Sequence, residues 1–354
     1  MKGEENIKVG ISIGDINGIG CEIILKTFMD TRMLDFCTPV IFASVKTISF
    51  QRKYLHIQVD YNGIENASKA IPGKINIVNV WKETPKVTFG KETKEGGKYA
   101  LNSLRAATEA LKNNHIDVLV TAPINKHNIQ TEKFKFPGHT DYLAKELKGE
   151  ALMFMVTEGL KVGLLTDHVP VKNVSDHLSA ELIENKINKV YESLRQDFRI
   201  IKPKIAVLGI NPHSGDNGVI GSEDDELLKP VIQKISNNGK LVYGPYAADS
   251  FFGSKNHEKF DAVIAAYHDQ GLIPFKTLSF GQGVNFTAGL NKVRTSPDHG
   301  TAYEIAGKNE ANPDSFKEAV FTAISIFKNR NEFTAISKNP LKKMVTKQDA
   351  KKYS

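Results

Sequence analysis

The sequence predicts an α/β fold with a largely parallel sheet, and two observations support this. Short β-branched runs, such as residues 7–13 and 117–121, alternate with longer segments of helical periodicity, such as 96–113. This alternation is typical of parallel strands joined by crossover helices. Nearly every predicted strand also ends in a cluster of Gly, Asn, Asp or His. Open sheets of this class bind ligands beyond the carboxyl ends of their strands, so we expect five such ends to form the rim of one active site.

The elements follow in chain order. Residues 7–13 (IKVGISI) predict a strand that leads through the turn GDINGIG into a helix, and 96–113 places Ala, Leu and Ala at helical spacing. A further helix is expected at YLAKELK, after FPGHTD. The predicted strands cover 7–13, 40–43, 75–80, 117–121, 163–165, 204–208 and 262–266, and the other predicted helices cover 21–29, 178–198 and 314–327.

Composition excludes several classes of protein. The 354 residues are 40% hydrophobic and 25% charged, which is ordinary for a globular protein of about two domains. Two cysteines, Cys21 and Cys37, are too few for a disulfide scaffold or a cysteine-rich zinc module. No apolar run is long enough to cross a membrane, and the N-terminus lacks the apolar core of a signal peptide. We therefore expect a cytoplasmic protein without a membrane partner.

The positive charge is concentrated at the C-terminal end. Residues 331–354 carry six lysines against Glu332 and Asp349, a net of +4 out of +7 for the chain. The rest of the chain is close to balanced, and it contains no known nucleic-acid-binding signature. We therefore predict a solvated basic tail and no nucleic-acid partner.

Three histidines each follow a predicted strand: His168, His213 and His268. Three imidazoles from separate strands can hold a divalent metal with a position open for substrate, and the neighbouring Asp269 could orient one of them. Ligands this far apart in sequence have no local signature. Ordinary hydrogen-bonded surface histidines therefore remain the alternative reading.

A second group of residues is suited to an anion. His139 and Thr140 open a predicted helix, whose free N–H groups can bind phosphate, although a simple side-chain cap explains the same residues. Lys276, Asn285 and Arg294 supply ammonium, amide and guanidinium groups that suit a phosphate or a carboxylate. The usual dinucleotide and P-loop fingerprints are absent, and GDINGIG reads more simply as a tight strand-to-helix turn.

Nine motifs occur together in a fixed order, and the set resembles the 4-hydroxythreonine-4-phosphate dehydrogenases of vitamin B6 biosynthesis. The resemblance covers about residues 9–327. Residues 298–313 also resemble a segment of the isocitrate and isopropylmalate dehydrogenases, which bind NAD(P) without a Rossmann fingerprint. The motifs are GDINGIGCE, TAPINK, FPGHTD, DHVPV, NPHSGDNG, AADSFF, YHDQGLIPFK, GVNFTAGL and RTSPDHGTA.

The resemblance implies a role for each matching residue. The metal, Zn²⁺ or alternatively Co²⁺ or Mg²⁺, would be held by His168, His213 and His268, with His268 coming from the second copy of a homodimer. A phosphorylated hydroxy-amino acid would be held by His139, Thr140, Lys276, Asn285 and Arg294. Asp249 and Asp269 would lie at the reacting centre, and NAD or NADP would contact Gly300, Thr301 and Asn312.

The resemblance also implies a domain division and a reaction. Residues 1–125 with 290–330 would form the cofactor-side domain, 126–289 the substrate, metal and dimerisation domain, and 331–354 the tail, with the active site in the cleft between domains. The implied reaction is metal-assisted oxidation of 4-phosphooxy-L-threonine at C3 by NAD, followed by decarboxylation. The alternatives are a sister dehydrogenase for 4-phosphoerythronate or D-threonate 4-phosphate, a three-histidine metallohydrolase, and an RNA-binding protein that uses the tail.

The sequence departs from the family pattern at two turns. Ile16, Asn17 and Cys21 replace Pro, Ala and Pro of the first turn, and Ser214 and Asp216 replace Ala and Glu of the NPHAGE motif. Neither change removes a predicted ligand.

Overall fold

The computed structural model describes residues 6–132, 134–136 and 138–339, and its described strands form one twelve-stranded sheet. In chain order the strands are β1 Ile7–Ser12, β2 Cys37–Ala43, β3 Asn62–Ile64, β4 Asn76–Asn79, β5 Val118–Thr121, β6 Gly149–Val156, β7 Lys161–Leu164, β8 Lys204–Leu208, β9 Leu241–Tyr246, β10 Ala262–Ala265, β11 Val284–Leu290 and β12 Val293–Pro297.

The strands form two parallel blocks with antiparallel pairing between them. Across the sheet the order is β3-β4-β2-β1-β5-β12-β11-β6-β7-β10-β8-β9. The first six strands of that order, β3-β4-β2-β1-β5-β12, run parallel to one another and form one block. The last four, β7-β10-β8-β9, form a second parallel block. The pairs β12–β11, β11–β6 and β6–β7 are antiparallel, so the two blocks point in opposite directions.

Helices pack against the sheet. They are α1 Gly20–Met29, α2 Met33–Phe36, α3 Val45–Tyr54, α4 Lys94–Lys112, α5 His139–Leu147, α6 Val174–His177, α7 Ala180–Gln196, α8 Lys229–Asn237, α9 Ala248–Gly253, α10 His268–Ser279 and α11 Asp314–Ser337. The largest apolar cluster joins both blocks, because it contains side chains from β1, β6, β8 and β11 together with α1, α7 and α11. Among the described residues, no helix is both long and apolar enough to cross a membrane.

The α/β prediction is confirmed, and each predicted strand and helix exists with its ends displaced by a few residues. The strands β3, β6, β9, β11 and β12 were not predicted, and neither were the helices α2, α3, α6, α8, α9 and α10. The last helix was expected to end at residue 327 but continues to Ser337, so the first part of the predicted basic tail is helical. Residues 340–354 of that tail lie outside the described residues.

Candidate active site

A cavity of about 290 Å³ lies over one face of the central strands. Met153 and Met155 alternate along β6, and the strand register places Asn285 beside Met155 and Ser296 beside Asn285. Alternate residues of a strand share a face, so these side chains form the floor of the cavity. The walls come from the loop after β5, the start of α5, the loop after β7, helix α10 and residues 298–300.

Arg294 lies at the bottom of this cavity. Its side chain is only 2% exposed, and its guanidinium donates to two threonine hydroxyls: Nε and Nη2 to Oγ1 of Thr121 at 3.2 and 2.6 Å, and Nη1 to Oγ1 of Thr287 at 3.0 Å. No carboxylate among the described residues forms an ion pair with it. Burial lowers the pKa of Arg294 to about 9. A buried cation without a counterion is costly, and an anionic ligand would compensate it.

His139 begins α5 beside Arg294. Its Nε2 is buried without a hydrogen-bond partner. Burial lowers the pKa of His139 well below 6.5, and the positive charges of Arg294 and Lys126 lower it further. The imidazole is therefore neutral near pH 7.

The N-terminus of α5 is open toward the cavity. Gly138 occupies the N-cap position, and no side chain caps the helix. The alternative reading, in which Thr140 or Asp141 caps this helix, is therefore wrong. The free N–H groups of the first turn remain available to an anion, and Gly138, His139 and Thr140 all line the cavity.

Lys276 and Asn285 complete the predicted substrate residues. Lys276, on α10, donates from Nζ to the carbonyl oxygen of Asp298 at 2.8 Å, and Oδ1 of Asn285 is buried without a partner. The structure thus brings all five predicted substrate residues to one cavity: His139, Thr140, Lys276, Asn285 and Arg294.

Two of the three predicted metal ligands share a wall of the same cavity. The ring centroids of His168 and His268 are 6.1 Å apart within one copy, an arrangement that does not support the expectation that His268 comes from the second copy. Nδ1 of His268 lies 2.7 Å from Oδ1 of Asp269, an arrangement that leaves Nε2 as the free ring nitrogen. His213 is exposed on the 3₁₀ turn Pro212–Gly215 and does not line the cavity. In the described part of a single copy, no three His, Cys, Asp or Glu side chains come together as a metal site.

The turn that carries His213 has an unusual backbone. His213 and Ser214 both have φ of 53°, in the left-handed region that non-glycine residues rarely adopt. Such conformations occur preferentially at functional sites, where surrounding structure holds them in place.

The two predicted catalytic carboxylates do not line the cavity. Asp269 reaches it through His268, and Asp249 is exposed on α9, where its own Oδ1 accepts a 3.4 Å hydrogen bond from Ser250. The structure therefore places Asp269 behind a predicted metal ligand and Asp249 on an open surface.

The three predicted cofactor residues lie on one continuous segment. Gly300 lines the cavity, the carbonyl of Thr301 accepts from the N–H of Ile19, and Oδ1 of Asn312 accepts from the N–H of Asp314 at the start of α11. The segment therefore runs from the cavity wall, past the glycine-rich turn, to the base of α11.

The glycine-rich turn after β1 is rigidly fixed. Asp15 is fully buried, and its carboxylate accepts from the N–H of Asn17, from Nδ2 of Asn128 at 2.7 Å and from the hydroxyl of Tyr303 at 2.8 Å. The charge of Asp15 and burial raise the pKa of Tyr303. Gly18 packs so closely on Thr301 that an added Cβ would lie 2.8 Å from its carbonyl oxygen.

Asn17 connects the same turn to residues 88–93. Its Nδ2 donates to the carbonyl of Lys91 and to Oγ1 of Thr93, and its Oδ1 accepts from the N–H of Thr88 at 2.8 Å. The asparagine that departs from the family pattern is thus a buried connector of two loops.

The expectation that five strand ends form one rim is wrong in part. The ends of β5, β7 and β10 contribute Thr121, His168 and His268 to the cavity, whereas the turns after β1 and β8 do not line it. Both of these strands lie farther from the central strands in the sheet order.

Several lining residues were not predicted, among them Lys126, Met153, Met155, Asp298 and His299. Lys126 and His299 stand inside the quoted motifs TAPINK and RTSPDHGTA, so the motifs contained a signal for them. Met153 and Met155 could be found only by identifying β6.

Comparisons with known proteins give one consistent result. The family model described as "Pyridoxal phosphate biosynthetic protein PdxA" matches residues 35–323. A 4-hydroxythreonine-4-phosphate dehydrogenase of Bacteroides thetaiotaomicron is 47% identical over 96% of this chain and 94% of that protein. Another, from a Sulfurihydrogenibium species, is 38% identical over 90% of this chain and 98% of its own length.

A solved structure shares the fold. The chain matches 4-hydroxythreonine-4-phosphate dehydrogenase from Klebsiella pneumoniae with a TM-score of 0.79 and 30% identity, over 92% of this chain and 99% of that one. The similarity therefore extends over both blocks of the sheet.

Proposed function

The chain belongs to the family of pyridoxal phosphate biosynthetic protein PdxA, whose members cited above are dehydrogenases by name, and on that premise we propose that it oxidises 4-phosphooxy-L-threonine. The family predicted from the ordered motifs is thereby confirmed, and the chain is an oxidoreductase. The proposed substrate, the cofactor, the metal and the site residues go beyond family membership.

The observation that carries the proposal is the buried guanidinium of Arg294. It faces a cavity with Lys126 and Lys276, and no carboxylate of the described residues forms an ion pair with it. A ligand with a phosphate and a carboxylate supplies the missing negative charge. A neutral or cationic ligand would leave the buried charge uncompensated.

The proposed reaction has two steps. The C3 hydroxyl of the substrate loses its proton, and hydride passes from C3 to the nicotinamide of NAD, which gives a β-keto acid. Loss of CO₂ then leaves an enolate, which takes up a proton at the carbon that carried the carboxylate and gives 3-amino-2-oxopropyl phosphate. Arg294, Lys276, Asn285, Thr140 and neutral His139 fix both ends of the substrate, and such orientation can lower a barrier by several kcal/mol.

The donor set fits a divalent cation. His168 and His268 present imidazoles to the same space, and Asp269 holds His268 in the tautomer whose Nε2 is free. When bound there, a Zn²⁺ ion or similar cation would polarise the substrate's C3 oxygen and stabilise the enolate formed as CO₂ leaves. We propose that either Asp249 or Asp269 accepts the C3 hydroxyl proton, directly or through water.

NAD or NADP is proposed to contact Gly300, Thr301 and Asn312. Gly300 lies at the edge of the substrate cavity, which supports this placement for the nicotinamide end. The fixed contact between Thr301 and the glycine-rich turn gives the segment a defined backbone.

We propose that the active form is a cytoplasmic homodimer in which a second copy completes the metal set. His213 and Asp249 are exposed outside the cavity of their own copy. Large apolar side chains are exposed close in sequence to all three histidines: Val171, Val219, Ile220, Ile273 and Phe280. Large apolar side chains exposed in this way are typical of a protein interface.

The first experiment measures NADH formation from NAD and 4-phosphooxy-L-threonine, with and without a chelator. Metal-dependent NADH formation is the expected result. Turnover of only 4-phosphoerythronate or D-threonate 4-phosphate would assign the chain to a sister reaction. Hydrolysis without NAD reduction would instead favour the metallohydrolase.

A substitution tests the metal site. His213→Ala should lose bound metal and nearly all turnover, whereas His56→Ala, at an exposed histidine outside the cavity, should change neither. Metal content is measured directly alongside NADH formation. Normal turnover in a metal-free His213→Ala protein would refute the three-histidine assignment.

A further inference from the structure

Lys126 is a third cationic side chain that lines the cavity, in addition to Lys276 and Arg294. It lies in the loop after β5 and lines the cavity together with His139 and Arg294. Among the described residues, its Nζ has no hydrogen bond or ion pair. Its ammonium group is therefore free to bind a ligand.

The side chain of Lys126 lies beside the N-terminus of α5. A Cβ added to Gly138, the N-cap residue, would lie 3.7 Å from Cε of Lys126. The positive charges of Lys126 and Arg294 both act on the buried ring of His139. Two cations, a neutral imidazole and a helix N-terminus therefore converge on one end of the cavity.

The number and direction of these donors distinguish between anions. A carboxylate has two oxygens in one plane, whereas a phosphate ester presents three terminal oxygens and up to two negative charges. Lys276 comes from a different element, the helix α10 that also carries His268, and it already donates to the carbonyl of Asp298. The convergent end is therefore suited to a phosphate, and the Lys276 end to the remaining anionic group.

We propose that Lys126 is a specificity-determining residue, which together with Arg294, His139 and the N-terminus of α5 selects a phosphorylated over an unphosphorylated substrate. This inference rests on the proposed function, because it assigns one end of the same substrate to one end of the cavity. It adds a residue to the binding set and predicts which part of the substrate that residue contacts.

The test compares Lys126→Ala and Lys126→Arg with a matched control, Lys135→Ala. Lys135 is an exposed lysine of the same connection and does not line the cavity. The readout is the ratio of kcat/KM for 4-phosphooxy-L-threonine to that for unphosphorylated 4-hydroxy-L-threonine. Loss of one charge-assisted hydrogen bond should lower this ratio about tenfold to a hundredfold in Lys126→Ala, through KM, while Lys126→Arg restores most of it.

A general folding defect would lower both kcat/KM values equally and leave the ratio unchanged. An unchanged ratio in Lys126→Ala, or an equal loss in Lys135→Ala, would overturn the inference. The second measurement is stabilisation of the protein against heat by inorganic phosphate, which should weaken in Lys126→Ala only. This titration needs no turnover, so it tests Lys126 even if the wild-type protein fails to oxidise either threonine derivative.

Discussion

Arg294 shows how one residue can be unfavourable for the fold and useful for the function. Its charge is buried, and within the described residues its guanidinium donates only to threonine hydroxyls. Under the proposed function, the anionic substrate would compensate this charge, so part of the free energy that its burial costs in folding would be returned as binding affinity.

We predict that Arg294→Met loses at least about a hundredfold in kcat/KM, since removing a buried charged partner of a ligand typically costs several kcal/mol. The free energy of unfolding without ligand should be unchanged or higher, because the uncompensated charge is gone. Urea denaturation and NADH formation measure the two effects. Arg52→Met, at an arginine that donates to the carbonyl of Val59, is the control for activity. A large loss of stability in Arg294→Met would mean that Arg294 is structural.

His139 predicts a pH dependence of stability. Its folded-state pKa lies well below the ordinary value of 6.5, so the unfolded chain binds its proton more readily than the folded protein. The stability is therefore fully present above pH 6.5 and falls as the pH drops toward the folded-state pKa, by at most about 1.4 kcal/mol per pH unit for one proton. In His139→Gln, the free energy of unfolding should fall less steeply with decreasing pH, measured from one pH unit above 6.5 to one pH unit below it. Equal slopes by urea denaturation would contradict the buried neutral imidazole.

At the scale of elements, the turn after β1 connects loops that the sheet alone would leave independent. Asp15 bonds to the 125–128 loop and to Tyr303, and Asn17 bonds to residues 88–93. Residues 123–126 and 298–300 both contribute to the lining of the cavity, so Asp15 fixes the positions of these two segments relative to each other.

We predict that Asn17→Ala lowers the free energy of unfolding by about 1–3 kcal/mol, because three partly buried hydrogen bonds to residues 88–93 are lost. Asn66→Ala is a matched control: Asn66 also accepts from a backbone N–H, that of Ser68, but it is exposed. Its cost should be well under that of Asn17→Ala in the same denaturation experiment. Equal effects would show that the Asn17 hydrogen bonds contribute little.

Seven of the parallel strands were predictable because each is a short apolar run next to a helix, whereas the two edge strands, β3 and β9, were not predicted. The central strands were not predicted either. β11 contains Gly289, at φ 79°, and a register shift, while β12 places a buried arginine inside a strand. β6 lacks the alternation of a half-buried strand, because Leu152 through Val156 are all buried. These segments also pair with strands distant in sequence, β6 with β11 and β12 with β5, and no local pattern reports such pairing.

The candidate site was predictable to a different extent. The ordered motifs identified every predicted substrate residue, and all of them line one cavity. The floor of that cavity remained hidden because it depends on β6. The relation of His213 to the other two histidines was also not predictable, since it depends on distances that sequence spacing does not contain.

At the scale of the whole molecule, exposed apolar side chains predict self-association. Ile273 is 64% exposed on the helix that carries His268. Ile273→Asp should therefore shift the mass in solution from twice 39.2 kDa toward 39.2 kDa and reduce turnover, if a second copy completes the metal set. Ile201→Asp, at an exposed isoleucine of another loop, should do neither. Light scattering on a sizing column distinguishes the two, and an unchanged dimer with full activity in Ile273→Asp would argue against this interface.

The unbroken sheet has a mechanical consequence. The strands on either side of the cavity belong to one continuous hydrogen-bonded surface, so the two blocks cannot swing about a flexible joint without breaking a ladder between neighbouring strands. The ladder of that sheet is irregular between Ala288 and Leu290, where the register of the pairing between β11 and β6 shifts around Gly289. Motion that opens or narrows the cavity would then be a twisting of the whole sheet that is shared among its strands.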